Sequence, residues 1–394
     1  MISFTTAGES HGKGLVAVLE GIPAGLPVVA DDVNRELRRR MAGHGRGARM
    51  KIEADAVEIL SGVRAGETIG SPISMLIWNR DWENWSEIMD PAPDGAGAEP
   101  RRRRLTRPRP GHADLVGTLK YDREDARDVL ERASARETAA RVACGAVCRR
   151  LLAELGVEIG SHVIELGPVA APSPSDLPSP LNAVADRSPV RCLDDEASTA
   201  MVKEIDAADK AGDTLGGIVE VVARGVVVGL GSYVSWDRRL DGRLAHAVMS
   251  IPAVKGVEIG AGFDAARHPG SQVHDEIVRG GHQTAGGVSR RSNRAGGTEG
   301  GITTGEAIVL RAAMKPISTL RQPIETIDLE TGEAARAQSE RSDVTAVPAM
   351  GVIAEGMVAI VLAQAVAEKF GGDSLTELRR NRDAFVAHLG DRWP

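Results

Sequence analysis

A short stretch near the N-terminus concentrates groups that could carry out acid–base chemistry. Residues 6–14 read TAGESHGKG, which places Ser10 and His11 among three glycines. A glycine inside a regular element costs roughly 0.5–1 kcal/mol relative to alanine, so three of them so close together indicate a loop. That loop is either a tight polar turn or a segment that brings backbone amides and the His11 imidazole against an anion.

A second histidine lies in the segment TRPRPGHADL. Prolines follow Arg107 and Arg109, and they keep this backbone extended and stiff. Gly111 then predicts a turn that presents His112 beside Asp114. A simple cap at the start of a helix would need the same turn, so these residues alone leave both interpretations open.

The segment ERASARETAARV places Arg132, Ser134 and Arg136 at the mouth of a long helix, which the apolar pattern predicts over residues 133–155. A helix N-terminus presents free amides and positive potential, so a serine and two arginines there favour an anion. Ser134 followed by Glu137 also fits a capping box. The two interpretations are compatible.

Two further segments supply donors and an acid. In MKPISTL, the side chains of Lys315, Ser318 and Thr319 could donate to a phosphate or to the edge of a pyrimidine-like ring. In ERSDVTAVPAMGV, Asp343 precedes an apolar helix and could act as a base or cap that helix. Together the segments predict a large site for an anionic ligand, with general acid and base groups.

The composition bounds the class of protein and the class of ligand. The chain has 394 residues, 42% hydrophobic and 26% charged, as in globular proteins of one large domain or two ordinary ones. The 48 basic and 55 acidic residues give a net charge of −7, so local arginine clusters indicate a small anion rather than nucleic acid. An aromatic content of 3% also argues against stacking on single strands.

Other features bear on the location of the protein. The sequence has no run of eighteen apolar residues and no basic N-terminal segment followed by an apolar core, so neither a membrane span nor a signal peptide is predicted. The three cysteines have neither metal-site nor disulfide-framework spacing, and Cys144 and Cys148 fit small core residues of a helix. We therefore expect a cytoplasmic protein without a metal or a membrane partner.

The elements that must position these groups alternate irregularly, which predicts a mixed α and β class without a dividing linker. Strands are predicted over residues 15–20, 157–166 and 306–314, and helices over residues 30–40, 133–155, 195–211, 240–256 and 350–370. Loop inserts are expected near residues 91–104, 171–190 and 264–300. Because Gly8, Gly12 and Gly14 precede the first predicted strand, a dinucleotide-binding βα turn is not predicted.

These segments resemble the chorismate synthase family. The resemblance extends from Thr5 to about Arg380 and rests on GESHGKGLVAVLEGIP, GHGRGARMKIEAD, NRDWENW, RPGHAD, RASARETAARVACGA, KPIST, RSDVTAVPAMGVIAE and FGGDSL. It implies an α+β fold, namely a β-α-β sandwich with helices packed between antiparallel sheets, formed by a single domain over residues 1–394. It also implies a homotetramer.

The resemblance implies a reaction and the groups that perform it. The reaction is the anti 1,4-elimination of phosphate from 5-enolpyruvylshikimate 3-phosphate to give chorismate, the last step of the shikimate pathway, with reduced FMN and no net redox change. His11 would protonate the departing phosphate, and His112 would protonate the anionic reduced flavin. Asp343 would assist removal of the ring proton, relayed through the flavin N5, and Ser10 and Ser134 would orient the groups.

The resemblance also implies ligand-binding residues. The FMN contacts would be Arg132, Ala133, Ser134, Pro252, Ala253, Gly300, Lys315, Pro316, Ile317, Ser318, Thr319 and Arg341. Arg40 and Arg46 match cofactor positions assigned to NADPH in the family, but we interpret them as ligands of the substrate phosphate, together with Arg49, Arg107 and Arg136. NADPH would serve only as a reductant of the flavin, and an external flavin reductase is expected as a partner.

Two other functions are alternatives from different classes. A flavin- or nicotinamide-dependent oxidoreductase could use the same basic site, and net oxidation of NADPH would distinguish it. A non-catalytic anion-binding protein could use His11 and His112 as capping residues. Full turnover in a His11→Ala variant would favour that second alternative, because a general acid contributes roughly 10²–10⁴-fold to a rate.

Overall fold

The computed structural model describes residues 1–47, 54–93, 104–174, 176–280, 287–339 and 342–390. Its strands are β1 (Ser3–Ala7), β2 (Gly14–Glu20), β3 (Val57–Ile59), β4 (Val63–Arg64), β5 (Glu67–Thr68), β6 (Ile73–Trp78), β7 (Glu158–Leu166), β8 (Val169–Ala170), β9 (Gly217–Arg224), β10 (Val254–Ile259), β11 (Ile277–Arg279), β12 (Val288–Arg290), β13 (Thr298–Glu299), β14 (Ile302–Thr303), β15 (Ile308–Met314), β16 (Glu325–Ile327) and β17 (Ala334–Arg336). Its helices are α1 (Ala30–Met41), α2 (Asp114–Tyr121), α3 (Arg127–Ala133), α4 (Thr138–Ala153), α5 (Leu181–Ala185), α6 (Asp195–Ala211), α7 (Leu240–Met249), α8 (Gly270–Val273), α9 (Val347–Phe370) and α10 (Leu375–Gly390).

Two antiparallel sheets organise the strands. The first has the order β1-β2-β6-β3, and the second has the order β10-β15-β9-β7-β8. Along β2 the side chains of Leu15, Ala17 and Leu19 are buried in alternation, as expected for a strand with one face against a core. Strand β15 shows the same alternation from Ile308 to Met314. Each sheet therefore has one apolar face that another layer must cover.

Two helices pack against these apolar faces and against each other. Helix α4 packs against β2 and β6 of the first sheet, whereas α9 packs against β7 and β9 of the second. The two helices also pack on each other, and a Cβ atom on Gly145 would lie only 2.5 Å from the Cα atom of Gly356. Glycine is needed at such a close approach of two backbones. The predicted pair of buried apolar helices is thus confirmed, and the fold class is α+β.

Helix α9 is the most apolar element. Among the described residues, α9 alone is long and apolar enough to cross a membrane, and its most apolar 18 residues have a mean hydropathy of 1.9. However, 94% of these 18 residues are buried inside the protein. A buried helix in a protein core has the same length and composition as a membrane span, so the packing of α9 inside the protein explains its apolar sequence.

One carboxylate interrupts the apolar sequence of α9. The side chain of Glu355 is fully buried and accepts hydrogen bonds from Arg39, Arg149, Arg191 and Ser161. Burial alone would raise the pKa of Glu355, but these arginines lower it well below its ordinary value. These contacts join α9 to α1, α4 and β7. A network of buried charges therefore links the three helices to one strand of the second sheet.

Several predicted elements have different bounds in the structure. The helix predicted over residues 240–256 ends at Met249, and β10 begins at Val254, because Val254, Val257 and Ile259 pair with β15. The glycine-rich region contains the short hairpins β11–β12 and β13–β14. The expected surface insert over residues 171–190 includes α5, whose Leu181 is buried. Most of the expected insert over residues 91–104 lies outside the described residues.

Candidate active site

The loop between β1 and β2 carries Ser10 and His11. The prediction that its glycines precede the first strand is wrong, because β1 precedes them; its sequence SFTTA has too few apolar residues to reveal a strand. Gly8 has a φ of +105°, and a Cβ atom there would lie 2.3 Å from the carbonyl oxygen of Gly14. The loop leads into the antiparallel strand β2 rather than a helix, so it is still no dinucleotide-binding turn.

The His11 side chain is held from two sides. Its Nδ1 atom lies 2.9 Å from Oε1 of Glu131, and its backbone N–H donates to Oε2 of the same carboxylate at 2.8 Å. The Trp85 ring stacks on the imidazole with 3.9 Å between ring centroids. Burial alone would raise the pKa of Glu131, but His11 and Arg127 lower it. The imidazole is therefore fixed with one nitrogen against an ionised carboxylate.

The helix predicted over residues 133–155 is α4, which begins later than predicted, at Thr138, and ends at Ala153. Ser134 has an extended backbone, with φ −64° and ψ 142°, which ends α3 and starts a 3-10 turn over Ala135–Glu137 before α4. The Ser134 hydroxyl accepts from the backbone N–H of Arg136 and donates to Ser10 Oγ at 3.1 Å. Glu137 does not complete the expected capping box, because its carboxylate accepts hydrogen bonds from the side chains of Thr6 and Arg141 instead.

Two buried arginines flank the carboxylate of Asp55 beside this turn. Nη1 of Arg136 donates to Asp55 at 2.5 Å, and Nε of Arg136 donates to Asn79. Arg40 donates to Asp55, to Thr138 and to the carbonyl oxygen of Ala135. Burial, reinforced by the charge of Arg136, lowers the pKa of Arg40 to about 10 despite the opposing charge of Asp55. The side chain of Arg40 would have to leave these partners to contact a ligand.

Asp343 lies near the charged side chain of Arg40. Its Oδ1 atom accepts from the backbone N–H of Gly47 at 2.6 Å, and its Oδ2 atom pairs with Nη1 of Arg46 at 3.0 Å. Helix α9 starts at Val347 without a side-chain cap, so Asp343 is not the cap of this helix. Arg46 and Asp343 both act on the pKa of Arg40, which places their charges near it. Arg49 and Arg341 lie outside the described residues.

His112 is the centre of a second group. Its Nδ1 atom lies 2.6 Å from Oδ1 of Asp114, and Arg109 donates to Asp114 through Nε at 2.8 Å. Arg109 also donates to the hydroxyl of Thr319 at 2.8 Å. Burial alone would raise the pKa of Asp114, but the hydrogen bonds from His112 and Arg109 lower it well below its ordinary value. Asp114 begins α2, so this turn joins a helix start to the segment after β15.

The segment over residues 315–319 is positioned by several neighbours. Nζ of Lys315 donates to the carbonyl oxygen of Gly111 at 2.6 Å, and the backbone N–H of Lys315 donates to Ala253. Burial, with the charge of Lys255, lowers the pKa of Lys315. The hydroxyl of Thr214 donates to the carbonyl oxygen of Ile317. Lys315, Ile317, Thr319 and Ala253 are therefore brought together, with Pro316 and Ser318 between them and Pro252 adjacent.

A chain of contacts connects two groups. The His11 group consists of Ser10, His11, Glu131, Ser134 and Arg136, and the His112 group consists of Arg109, His112, Asp114 and Thr319. Arg132 donates to the carbonyl oxygens of Thr6 and Gly8, beside Ala133 in the same turn of chain. Glu137 accepts from Thr6 and from Arg141, and Arg141 donates to Ser250. Ser250 lies three residues before Ala253, whose carbonyl oxygen accepts from Lys315, and Lys315 in turn donates to Gly111 next to His112.

Two predicted residues lie elsewhere. The side chain of Arg107 is 53% exposed and pairs with Asp328 beside the hairpin β16–β17. Gly300 is at the turn of the hairpin β13–β14, with a φ of +57°, and its side-chain position faces Tyr233. Within the described residues, the contacts of these two positions do not join them to the His11 or His112 groups.

Sequence reasoning missed the groups that support the predicted ones. The missed residues are Glu131, Trp85, Asp55 and Asn79, which contact predicted site residues. Each lies in or directly beside a quoted motif: Glu131 precedes RASAR, Asn79 and Trp85 are the two ends of NRDWENW, and Asp55 ends GHGRGARMKIEAD. The motifs therefore contained these positions, but their pairing with the site residues depends on the fold. Among the described residues, no cluster of three or more histidine, cysteine, aspartate or glutamate side chains has the arrangement of a metal site.

Comparisons with known proteins match nearly the whole chain, including all the segments described above. Residues 2–367 match the profile of the family described as chorismate synthase. A chorismate synthase of Streptomyces coelicolor is 58% identical over 396 residues, with 99% of each chain covered, and one of Moorella thermoacetica is 56% identical over 389 residues, again with 99% of each chain covered. A crystal structure of a chorismate synthase has a TM-score of 0.78 to this chain and is 44% identical to it, over 99% of this chain and 98% of that one.

Proposed function

Because this chain belongs to the chorismate synthase family, we propose that the His11 and His112 groups together form its active site. The reaction is the anti 1,4-elimination of phosphate from 5-enolpyruvylshikimate 3-phosphate, which gives chorismate in the last step of the shikimate pathway. The protein is thus a carbon–oxygen lyase. The observation that carries the proposal is the convergence of Ser10, His11, Ser134 and Arg136, which the hydrogen bonds of the first group hold beside buried carboxylates.

His11 is the proton donor to the departing phosphate in this proposal. Glu131 occupies the side of Nδ1, so Nε2 is the nitrogen that gives its proton away. As the carbon–oxygen bond breaks, its electron pair stays on the phosphate oxygen, and the proton from Nε2 forms the new O–H bond. Ser10 and Ser134, whose hydroxyls are hydrogen-bonded, orient the leaving group.

The arginines neutralise the substrate. We propose that Arg136 and Arg46 face its phosphate and carboxylates, since guanidinium groups bind such oxygens in pairs. Arg40 does not face the substrate in this proposal, because its three nitrogens already donate to Thr138, Asp55 and Ala135. It shares the Asp55 carboxylate with Arg136 and so helps to position that arginine. We therefore propose Arg46 as a ligand of the substrate rather than of NADPH, and Arg40 as a residue that supports the ligands without contacting the substrate. Arg49 remains a proposed ligand, whereas the pairing of Arg107 with Asp328 favours a supporting role.

The donors around Lys315 fit FMN. When bound, reduced FMN would supply electron density to phosphate departure without net redox change. A Cβ atom on Gly111 would lie 3.1 Å from Nζ of Lys315, so this glycine leaves room beside the ammonium group. We propose that the cofactor is held by Arg132, Ala133, Ser134, Pro252, Ala253, Lys315, Pro316, Ile317, Ser318 and Thr319, with Arg341 and Gly300 as further contacts.

We propose that His112 and Asp343 take part in the proton transfers that involve the cofactor and the substrate ring. Asp114 accepts from Nδ1 of His112, so we propose that His112 holds a mobile proton on Nε2 beside the 315–319 segment. Asp343 assists removal of the ring proton. The Arg46 guanidinium and the Gly47 N–H fix its carboxylate in place.

The remaining features of the proposal concern the whole protein. We propose one catalytic domain over residues 1–394, a β-α-β sandwich, and a homotetramer. We also propose a cytoplasmic location and an external flavin reductase, with NADPH used only to reduce the flavin. The packing of α4 against one antiparallel sheet and of α9 against the other supports the sandwich.

An anaerobic assay tests this function. Purified protein is mixed with chemically reduced FMN and 5-enolpyruvylshikimate 3-phosphate, and phosphate release is followed beside the flavin spectrum. We expect many phosphates per protein while the flavin stays reduced. Oxidation of flavin or NADPH in step with product would instead support the oxidoreductase alternative, and binding without turnover would support the anion-binding alternative.

A further inference from the structure

We propose that Glu131 is a positioning residue that fixes which nitrogen of His11 carries the transferable proton; this inference rests on the proposed function. The Glu131 carboxylate is 1% exposed, and its two oxygens lie 2.9 and 3.0 Å from Nδ1 of His11. The same carboxylate accepts the backbone N–H of His11 at 2.8 Å. One group therefore sets both the loop backbone and the imidazole ring.

The chemistry of a carboxylate determines the tautomer. An ionised carboxylate can only accept hydrogen bonds, so Nδ1 of His11 must carry a hydrogen atom. When Nε2 gives its proton to a phosphate oxygen, the N–H bond breaks and the O–H bond forms, and the neutral ring keeps Nδ1–H. Glu131 thus fixes the tautomer of the neutral ring that remains after the transfer.

The surroundings keep this pair in place. Nη1 of Arg127 lies 3.2 Å from Glu131, and its guanidinium group lies 5.1 Å from the centre of the Trp85 ring. Trp85 in turn stacks on His11 with an angle of 22° between the rings. The two side chains come from positions 120 residues apart, so the pair forms only when α3 packs against the β1–β2 loop.

A second histidine–glutamate pair, which uses Nε2 of the histidine rather than Nδ1, lies away from the proposed site and supplies a control. On the second sheet, Nε2 of the buried His162 lies 3.3 Å from Oε1 of Glu220, which also accepts from Arg311 at 3.0 Å. A Glu220→Gln variant therefore removes a carboxylate from a matched histidine–glutamate–arginine group without touching the proposed site.

Two measurements test the inference. In Glu131→Gln we expect kcat to fall by about 10- to 100-fold, the range for loss of one hydrogen bond to a charged group, while KM for the substrate changes less than about threefold. Glu220→Gln should leave both constants unchanged. A folded Glu131→Gln protein with the kcat of the wild type, or with the whole loss in KM, would overturn the inference.

The second measurement does not depend on the folding of that variant or on turnover. Nitrogen-15 NMR of histidine-labelled wild-type protein, with the His11 resonances assigned by a His11→Ala variant, reports the tautomer directly. We expect His11 to carry its hydrogen on Nδ1 when the ring is neutral. Hydrogen on Nε2 in the neutral ring would overturn the inference, whereas absence of phosphate release with the expected tautomer would overturn only the proposed function.

Discussion

The His11 and His112 groups use the same contact in different surroundings. In both, Nδ1 of the imidazole lies against a buried carboxylate that also faces an arginine: Glu131 with Arg127, and Asp114 with Arg109. The carboxylate of Glu131 comes from a segment 120 positions away, whereas Asp114 follows His112 by two residues. The first pair therefore depends on the tertiary fold and the second on a local turn.

The exposure of the two rings differs as well. The His11 side chain is 11% exposed beneath Trp85, while the His112 side chain is 18% exposed beside the Lys315 segment. A covered imidazole is suited to a leaving group from which water is excluded. The more open one is suited to exchange a proton with a ligand bound beside the Lys315 segment. The predictions below test this division.

The largest effect is expected for the covered histidine. In His11→Ala, kcat for phosphate release should fall by about 10²–10⁴-fold, because a positioned general acid is lost. The matched control is His162→Ala, which removes a buried histidine beside a glutamate on the second sheet. Equal losses in the two variants would show that the effect is one of folding and would contradict the role of His11.

A smaller effect, with a defined pH dependence, is expected at the other carboxylate. In Asp114→Asn the free energy of unfolding at neutral pH should fall by about 3 kcal/mol, because Arg109 is left buried without its partner. The pKa of Asp114 is lowered in the folded protein, so its ionised form stabilises the fold at every pH above about 4, the ordinary pKa of an aspartate. This stabilisation is lost progressively as the pH falls below that value.

Denaturant unfolding at several pH values measures this contribution. The difference between the wild type and Asp114→Asn should be largest at neutral pH and should shrink toward acid. A difference that stays constant, or grows, as the pH falls would mean that the charge of Asp114 does not stabilise this turn.

The two loops should also differ in their tolerance of a methyl group. A Cβ atom at Gly8 would meet the backbone oxygen of Gly14 at 2.3 Å, whereas one at Gly111 would meet the end of the Lys315 side chain at 3.1 Å. Both have positive φ, which costs about 1–2 kcal/mol for any other residue. We expect Gly8→Ala to destabilise the protein more than Gly111→Ala, and Gly111→Ala to weaken binding of reduced FMN. Thermal unfolding and flavin titration of both variants check this order.

The smallest effect is expected at Ser10. Its hydroxyl accepts from Ser134 at 3.1 Å, and loss of one such neutral hydrogen bond is worth about 1 kcal/mol. Ser10→Ala should therefore lower kcat about fivefold and leave FMN binding unchanged. A loss as large as that in His11→Ala would mean that Ser10 itself transfers a proton.

The sequence predicted the local features of the site better than the distant ones. Loops with glycine and proline revealed His11, His112 and the Lys315 segment, because these residues restrict or free the backbone at a known place. Ser134 was predicted as a possible cap, and its hydroxyl does accept from the backbone N–H of Arg136, but the helix α3 that ends just before it was not predicted.

Contacts between distant segments could not be predicted from one sequence. Asp55 gives no local sign that it lies between Arg40 and Arg136, and Glu355 sits in a helix that otherwise reads as apolar core. Likewise, β1 and β10 are short or half-exposed strands that become recognisable only through their pairing with β2 and β15. Such elements depend on tertiary contacts rather than on local preference.

The most direct test of the division between the two histidines is a pair of binding titrations. Dissociation constants for reduced FMN and for 5-enolpyruvylshikimate 3-phosphate are measured anaerobically in His11→Ala and His112→Ala, beside the wild type. We predict that His112→Ala weakens binding of the flavin with little effect on the substrate, and that His11→Ala weakens binding of the substrate with little effect on the flavin. Equal effects of the two variants on both ligands, or the reverse pattern, would contradict the account.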